Sequence, residues 1–103
     1  MNEKDLINEF NKLVLAKYKD FKGIYLFGSR AKENYKEDSD VDLVLLFEEV
    51  NKDKKMEIYG ILSELMYKYD IFIDIYIMTP ETLEFNPFFY EEVVEKGQFY
   101  EAA

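Results

Sequence analysis

The chain has 103 residues, 49% of them hydrophobic and 17% aromatic, too apolar for disorder and the right length for one folded domain over 1–103 with a modest core and no second lobe. Its net charge of −9, from 22 acidic and 13 basic residues, repels phosphate backbones and disfavours direct nucleic-acid binding, whereas a basic protein partner or divalent cations suit the sign. Cysteine and histidine are both absent, which excludes disulfides, thiol chemistry, Cys/His zinc sites and His-dependent triads and leaves carboxylates, hydroxyls, lysines and the one arginine, Arg30.

In chain order, Leu6, Phe10, Leu13, Val14, Tyr18 and Phe21 recur at steps of three and four and predict an amphipathic helix over residues 5–21, ended by Gly23. Ile24-Tyr25-Leu26-Phe27 predicts a first strand, followed at once by a tight turn at Gly28-Ser29-Arg30-Ala31. The polar stretch Lys32 to Ser39 is expected on the surface. Val41 to Phe47 predicts a second strand, and residues 48–55 a loop in which Asp53 is the expected N-cap of the next helix. That helix carries Met56, Tyr59, Leu62, Leu65, Met66 and Tyr69 on its apolar side. Ile71 to Met78, with isoleucine at every second position, predicts a third strand. Thr79-Pro80 and Asn86-Pro87 each pair a capping residue with proline at the first helical position; the last helix carries Phe88, Phe89, Val93 and Val94 and stops before Gly97. The order α-β-(short α)-β-α-β-α predicts a small α/β (α+β) domain with a mixed sheet of about three strands flanked by helices, with room for a further edge strand. The polar start, Met1-Asn2-Glu3-Lys4-Asp5, does not resemble a signal peptide, and no apolar run reaches a membrane span; a cytoplasmic protein away from membranes is expected.

Three aspartates interrupt these apolar strands. Side chains alternate across a strand, so Val41, Leu43, Leu45 and Phe47 share one face, and Asp40, Asp42, Val44 and Leu46 the other. In the third strand the isoleucines take one face and Phe72, Asp74, Tyr76 and Met78 the other. Asp40 and Asp42 are then roughly 6.5 Å apart along the strand, and with adjacent strands in register Asp74 joins them. Carboxylates so placed can bridge metal ions about 3.5–4 Å apart, the spacing of two-metal phosphoryl-transfer sites. A donor set without nitrogen or sulfur suits Mg²⁺ rather than zinc. Gly28 lets a backbone approach a phosphate, Ser29 offers N–H and hydroxyl donors, and Arg30 and Lys32 can offset charge there. Taken singly, a strand aspartate or a Gly-Ser turn is an ordinary surface feature, and Tyr25 and Tyr76 read as packed aromatics; the combination is what points to chemistry.

Gly28-Ser29, ten intervening residues, Asp40-Val41-Asp42 and a lone strand Asp74 resemble the signature of the polymerase-β-like nucleotidyltransferase superfamily, and the segment from Gly28 to Leu43 is similar to its minimal nucleotidyltransferases (MNT). The resemblance covers nearly the whole chain. It implies Asp40, Asp42 and Asp74 as ligands of two Mg²⁺ ions, Gly28 and Ser29 as the turn that holds the triphosphate, with Arg30 and Ser39 beside it, and Asp74 as acceptor of the incoming hydroxyl's proton. It further implies attack on the α-phosphorus of ATP and, as partner, a cognate HEPN-domain RNase toxin that receives AMP on a tyrosine hydroxyl, the chain acting as antitoxin. A binding antitoxin that neutralises its partner by contact, and transfer to a small molecule, are the competing readings.

Overall fold

The computed structural model describes residues 3–32 and 40–103; Ser39 and most of the polar stretch before it lie outside the described residues. Helix α1 (Glu3–Lys17) leads into β1 (Phe21–Phe27), a 3₁₀ turn (Gly28–Ala31), β2 (Val41–Phe47), α2 (Lys52–Tyr69), β3 (Ile73–Met78), α3 (Pro80–Glu84), α4 (Pro87–Tyr90) with a π-helical turn (Glu91–Glu95), and β4 (Gln98–Glu101). The sheet has four strands in the order β3-β2-β1-β4. Strand β1 pairs antiparallel with β2 and β4, and β2 pairs parallel with β3, so the sheet is mixed.

Several boundaries differ from the periodic reading. Helix α1 stops at Lys17, and Phe21 opens β1 with its side chain buried in the same core; an apolar residue one helical step onward satisfies either structure, and the strand's ladder decides. Gly23 therefore does not end a helix. It sits inside β1 at φ +146°, where a Cβ would lie 2.6 Å from the Tyr100 carbonyl oxygen, and it accommodates the irregular register between Phe21 and Gly23. Asn51, not Asp53, caps α2: its backbone is extended and its Oδ1 accepts from Lys54 N–H at 2.8 Å. Asp53 lies inside the first turn, where a negative charge still suits the helix dipole. Thr79 and Asn86 cap α3 and α4 as expected, accepting from Thr82 and Phe89 N–H. The apolar stripes are narrower than their spacing implies, since Leu13, Met56 and Tyr59 are exposed.

The fourth strand is only four residues long, Gln98–Glu101, and is held by its neighbours. It pairs with β1 from Gly23↔Glu101 to Leu26↔Gln98. Buried Asn11 of α1 fastens its end, donating to the Glu101 carbonyl at 2.8 Å and accepting from Ala103 N–H at 3.3 Å.

The sheet's two faces are used differently. Helices α1 and α2 cover the face carrying Ile24, Leu26, Val41, Leu43, Leu45, Ile73, Ile75 and Ile77, which together make the main core. On the opposite face Val44 and Leu46 pack with Leu83 and Val93 in a smaller cluster, which leaves the far end of that face for polar residues. No helix among the described residues is long and apolar enough to cross a membrane.

A buried cation ties the β1 and α2 ends together. Lys54 is only 6% exposed; its Nζ meets Asp20 Oδ2 at 2.8 Å and the Glu49 carbonyl at 2.6 Å, and lies 4.6 Å from the Phe47 ring centroid. Burial opposes ionisation of Asp20, but hydrogen bonds from Lys54 and Glu49 N–H outweigh it and hold its pKa below the ordinary carboxylate value. Asp20→Ala strands the ammonium, and because Asp20 is a quarter exposed the expected loss is about 2–3 kcal/mol, under the 3–5 kcal/mol of a fully buried pair. A depressed folded pKa stabilises above the unfolded value and is lost as pH falls through the folded one. Denaturant unfolding of both proteins at neutral and acidic pH checks this: the gap should be present at neutral pH and close in acid.

Candidate active site

Strand β1 delivers Gly28 to the edge of β2. Phe27 faces Asp42 in the antiparallel register, and Gly28 follows in the left-handed region at φ +76°, where a Cβ would stand 2.5 Å from Asp42 Oδ2. Only glycine avoids both the strain and that collision. The turn then closes with Lys32 N–H donating to the Ser29 carbonyl at 3.2 Å, and the Ser29 side chain is exposed.

The parallel ladder sets Asp42 directly opposite Asp74, so the two carboxylates rise side by side from the face that α1 and α2 leave open. Neighbouring strands are about 4.8 Å apart, a separation at which like charges repel. Asp42 is half-buried, and burial, then the charges of Asp74 and Asp40, all push its pKa up. Asp40 stands just ahead of β2, exposed and outside the ladder, where Val41 N–H binds the Phe72 carbonyl at 3.3 Å. Among the described residues no group of three or more acidic side chains is drawn together tightly enough to hold a metal ion.

The other expected site residues are placed differently. Arg30 does not project with Ser29: it is 4% exposed, and its guanidinium lies 3.7 Å from Glu3 Oε2 of α1. Tyr76, read from sequence as a packed aromatic, is 40% exposed and donates its hydroxyl to Asp74 Oδ2 at 3.3 Å. Its place two residues after Asp74 on one strand was the sequence signal for that contact.

The sequence profile described as "Polymerase beta, Nucleotidyltransferase" matches residues 10–99. The chain belongs to the polymerase beta nucleotidyltransferase family. It is 33% identical over 101 residues to a Methanocaldococcus jannaschii protein named as a protein adenylyltransferase, covering 95% of this chain and 97% of that protein. A second protein so named in the same organism is 41% identical over 71 residues, 67% of this chain and 72% of its own length. Among solved structures, a chain of the toxin–antitoxin pair MntA–HpeT superposes with TM-score 0.66 at 21% identity, over 100% of this chain and 74% of that one. A chain from the complex of tri-AMPylated Shewanella oneidensis HEPN toxin with MNT antitoxin gives TM-score 0.60 at 19% identity, over 95% and 71%. At such identities the likeness to solved structures is one of fold, and it is the nucleotidyltransferase fold expected from the sequence, with β4 added to the three strands predicted. The protein is accordingly a nucleotidyltransferase.

The crowding of Asp42 has a measurable sign. Its raised pKa means that folding takes up a proton, so Asp42 lowers stability increasingly as pH rises through that pKa. In chelator at neutral pH, Asp42→Asn should therefore melt above the wild type, and the two should converge in acid. A variant that melts at or below wild type across the range would show that no repulsion is relieved.

Proposed function

We propose that the protein transfers AMP from ATP to a hydroxyl of a protein acceptor, a tyrosine of a cognate HEPN-domain RNase toxin, and serves in the cytoplasm as that toxin's antitoxin. The observation that carries this reading is the side-by-side placing of Asp42 and Asp74, with the Gly28–Ser29 turn pressed against Asp42. The names of the sequence relatives and the AMPylated HEPN toxin in a structural neighbour support it.

In this reading the N–H groups of the turn and the Ser29 hydroxyl hold the triphosphate, and Ser39, next to Asp40 in sequence, assists. Arg30 contributes through its ion pair with Glu3, which holds the turn against α1. The acceptor oxygen attacks the α-phosphorus, its proton passes to a carboxylate oxygen of Asp74, the α–β bridging P–O bond breaks, and pyrophosphate departs. An all-oxygen set whose members repel one another fits a hard divalent cation, and Asp40, Asp42 and Asp74 are the residues that would hold two Mg²⁺ ions. Such ions offset charge on the triphosphate and on the leaving pyrophosphate.

A second reading, neutralisation by complex formation without transfer, draws on the fact that the MNT neighbour was solved as a complex with its toxin. The two are separated by incubating the protein with ATP, Mg²⁺ and the product of the adjacent reading frame, then weighing that product by mass spectrometry. Wild type should add one or more AMP units. Asp40→Ala and Asp42→Ala should lose nearly all transfer and keep partner binding, because the partner surface extends beyond two side chains. Ser29→Ala should lose about 1 kcal/mol of transition-state binding, roughly fivefold in rate, since only one neutral hydrogen bond goes. Mg²⁺ should raise the melting temperature of wild type more than that of Asp42→Asn. Unmodified partner alongside full protection by both aspartate variants selects the second reading.

A further inference from the structure

A hydroxyl already stands against Asp74. Tyr76 shares the sheet face of Asp74 and donates to its Oδ2 across 3.3 Å. The ring that carries this hydroxyl is fixed: its centroid lies 5.7 Å from that of Phe27 on β1 and 5.4 Å from that of Phe89 on α4. Phe27 and Phe89 are themselves 5.3 Å apart and packed edge to face. Three rings from three elements thus close a triangle, the tilted and edge-on geometries that aromatic quadrupoles favour. Phe27 is joined directly to Gly28, so one cluster anchors both the entrance of the Gly28–Ser29 turn and the partner of Asp74. Phenylalanine would fill the triangle equally well; what tyrosine adds is the hydroxyl, and the hydroxyl meets the carboxylate.

We infer that Tyr76 is a positioning residue that holds the Asp74 carboxylate in one orientation toward cation and acceptor. The inference rests on the transfer reading above, in which Asp74 binds metal and takes the proton. A carboxylate on a short side chain turns easily about its last bond, and a donor mounted on a clamped ring removes that freedom. Groups that orient a metal ligand in this way commonly carry a large share of its affinity.

Two variants separate the hydroxyl from the ring. Tyr76→Phe keeps the triangle, and Tyr76→Leu removes both. Mn²⁺ binding is followed by electron paramagnetic resonance with an ATP analogue whose α–β bridge is methylene, alongside thermal melting and steady-state transfer to the adjacent-frame product. Tyr76→Phe should melt with wild type yet bind Mn²⁺ about 10- to 100-fold more weakly, with kcat for transfer reduced and KM for the acceptor unchanged. Tyr76→Leu should lose stability in addition, with no further loss of Mn²⁺ affinity. Wild-type Mn²⁺ binding by Tyr76→Phe, with only Tyr76→Leu impaired, overturns the inference and leaves the ring as packing alone. AMP found on Tyr76 of the wild type after incubation with ATP and Mn²⁺ also overturns it, because Tyr76 is then an acceptor. Should wild type bind Mn²⁺ but leave the adjacent-frame product unmodified, the transfer reading fails, while the affinity ratio of wild type to Tyr76→Phe still decides the role of Tyr76.

Discussion

Between β2 and β3 the chains run parallel and in register, and that pairing places Asp42 against Asp74. Parallel neighbours cannot be joined by a tight turn; they need a long crossover, which α2 supplies with 18 residues. The crossover helix joins α1 in covering one face of the sheet, so the isoleucines of β3 and the odd-numbered apolar residues of β2 are buried there. The alternate residues must then face the other way. A single step of register would turn each aspartate into the core, where an unpaired carboxylate is strongly disfavoured. The burial of one face thus enforces the carboxylate pair on the other.

That pair is unfavourable by itself. Asp42 is half-buried, feels two like charges, and is pushed toward its neutral form. Elsewhere the fold neutralises its buried charges: Lys54 meets Asp20, and Arg30 meets Glu3. Repulsion concentrated at one place, beside a glycine that admits a turn within touching distance, is the pattern expected where charge is to be supplied by a ligand.

The smaller cluster on the open face links these parts. Helices α3 and α4 are short, each started by a capped proline; Leu83 of α3 and Val93 of the π-helical turn after α4 are buried over Val44 and Leu46. Phe89 extends this cover to Phe27 and Tyr76. Packing therefore runs without a break from the cover of the second face to the residues flanking Asp74 and Gly28.

Most of this was legible in the sequence because period-two and helical patterns report which face is buried. The alternation in 41–47 and 71–78 named both faces, and the segment from Gly28 to Asp42, read with Asp74, named the family. What the sequence could not decide was anything that depends on a partner distant along the chain. Strand β4 has only four residues and no strong pattern; it exists because β1 offers an unpaired edge and Asn11 ties down its end. Phe21 satisfied the helical period, yet β1 claimed it. Arg30 looked available for phosphate until α1 brought Glu3 to it, and Tyr76, expected to pack, does pack against Phe27 and Phe89 but also turns its hydroxyl to Asp74. Local pattern determined the elements, the faces and the carboxylates, since these follow from backbone periodicity and burial; the tertiary structure alone decided which charges pair and where each hydroxyl points, since those are contacts between residues that the sequence keeps far apart.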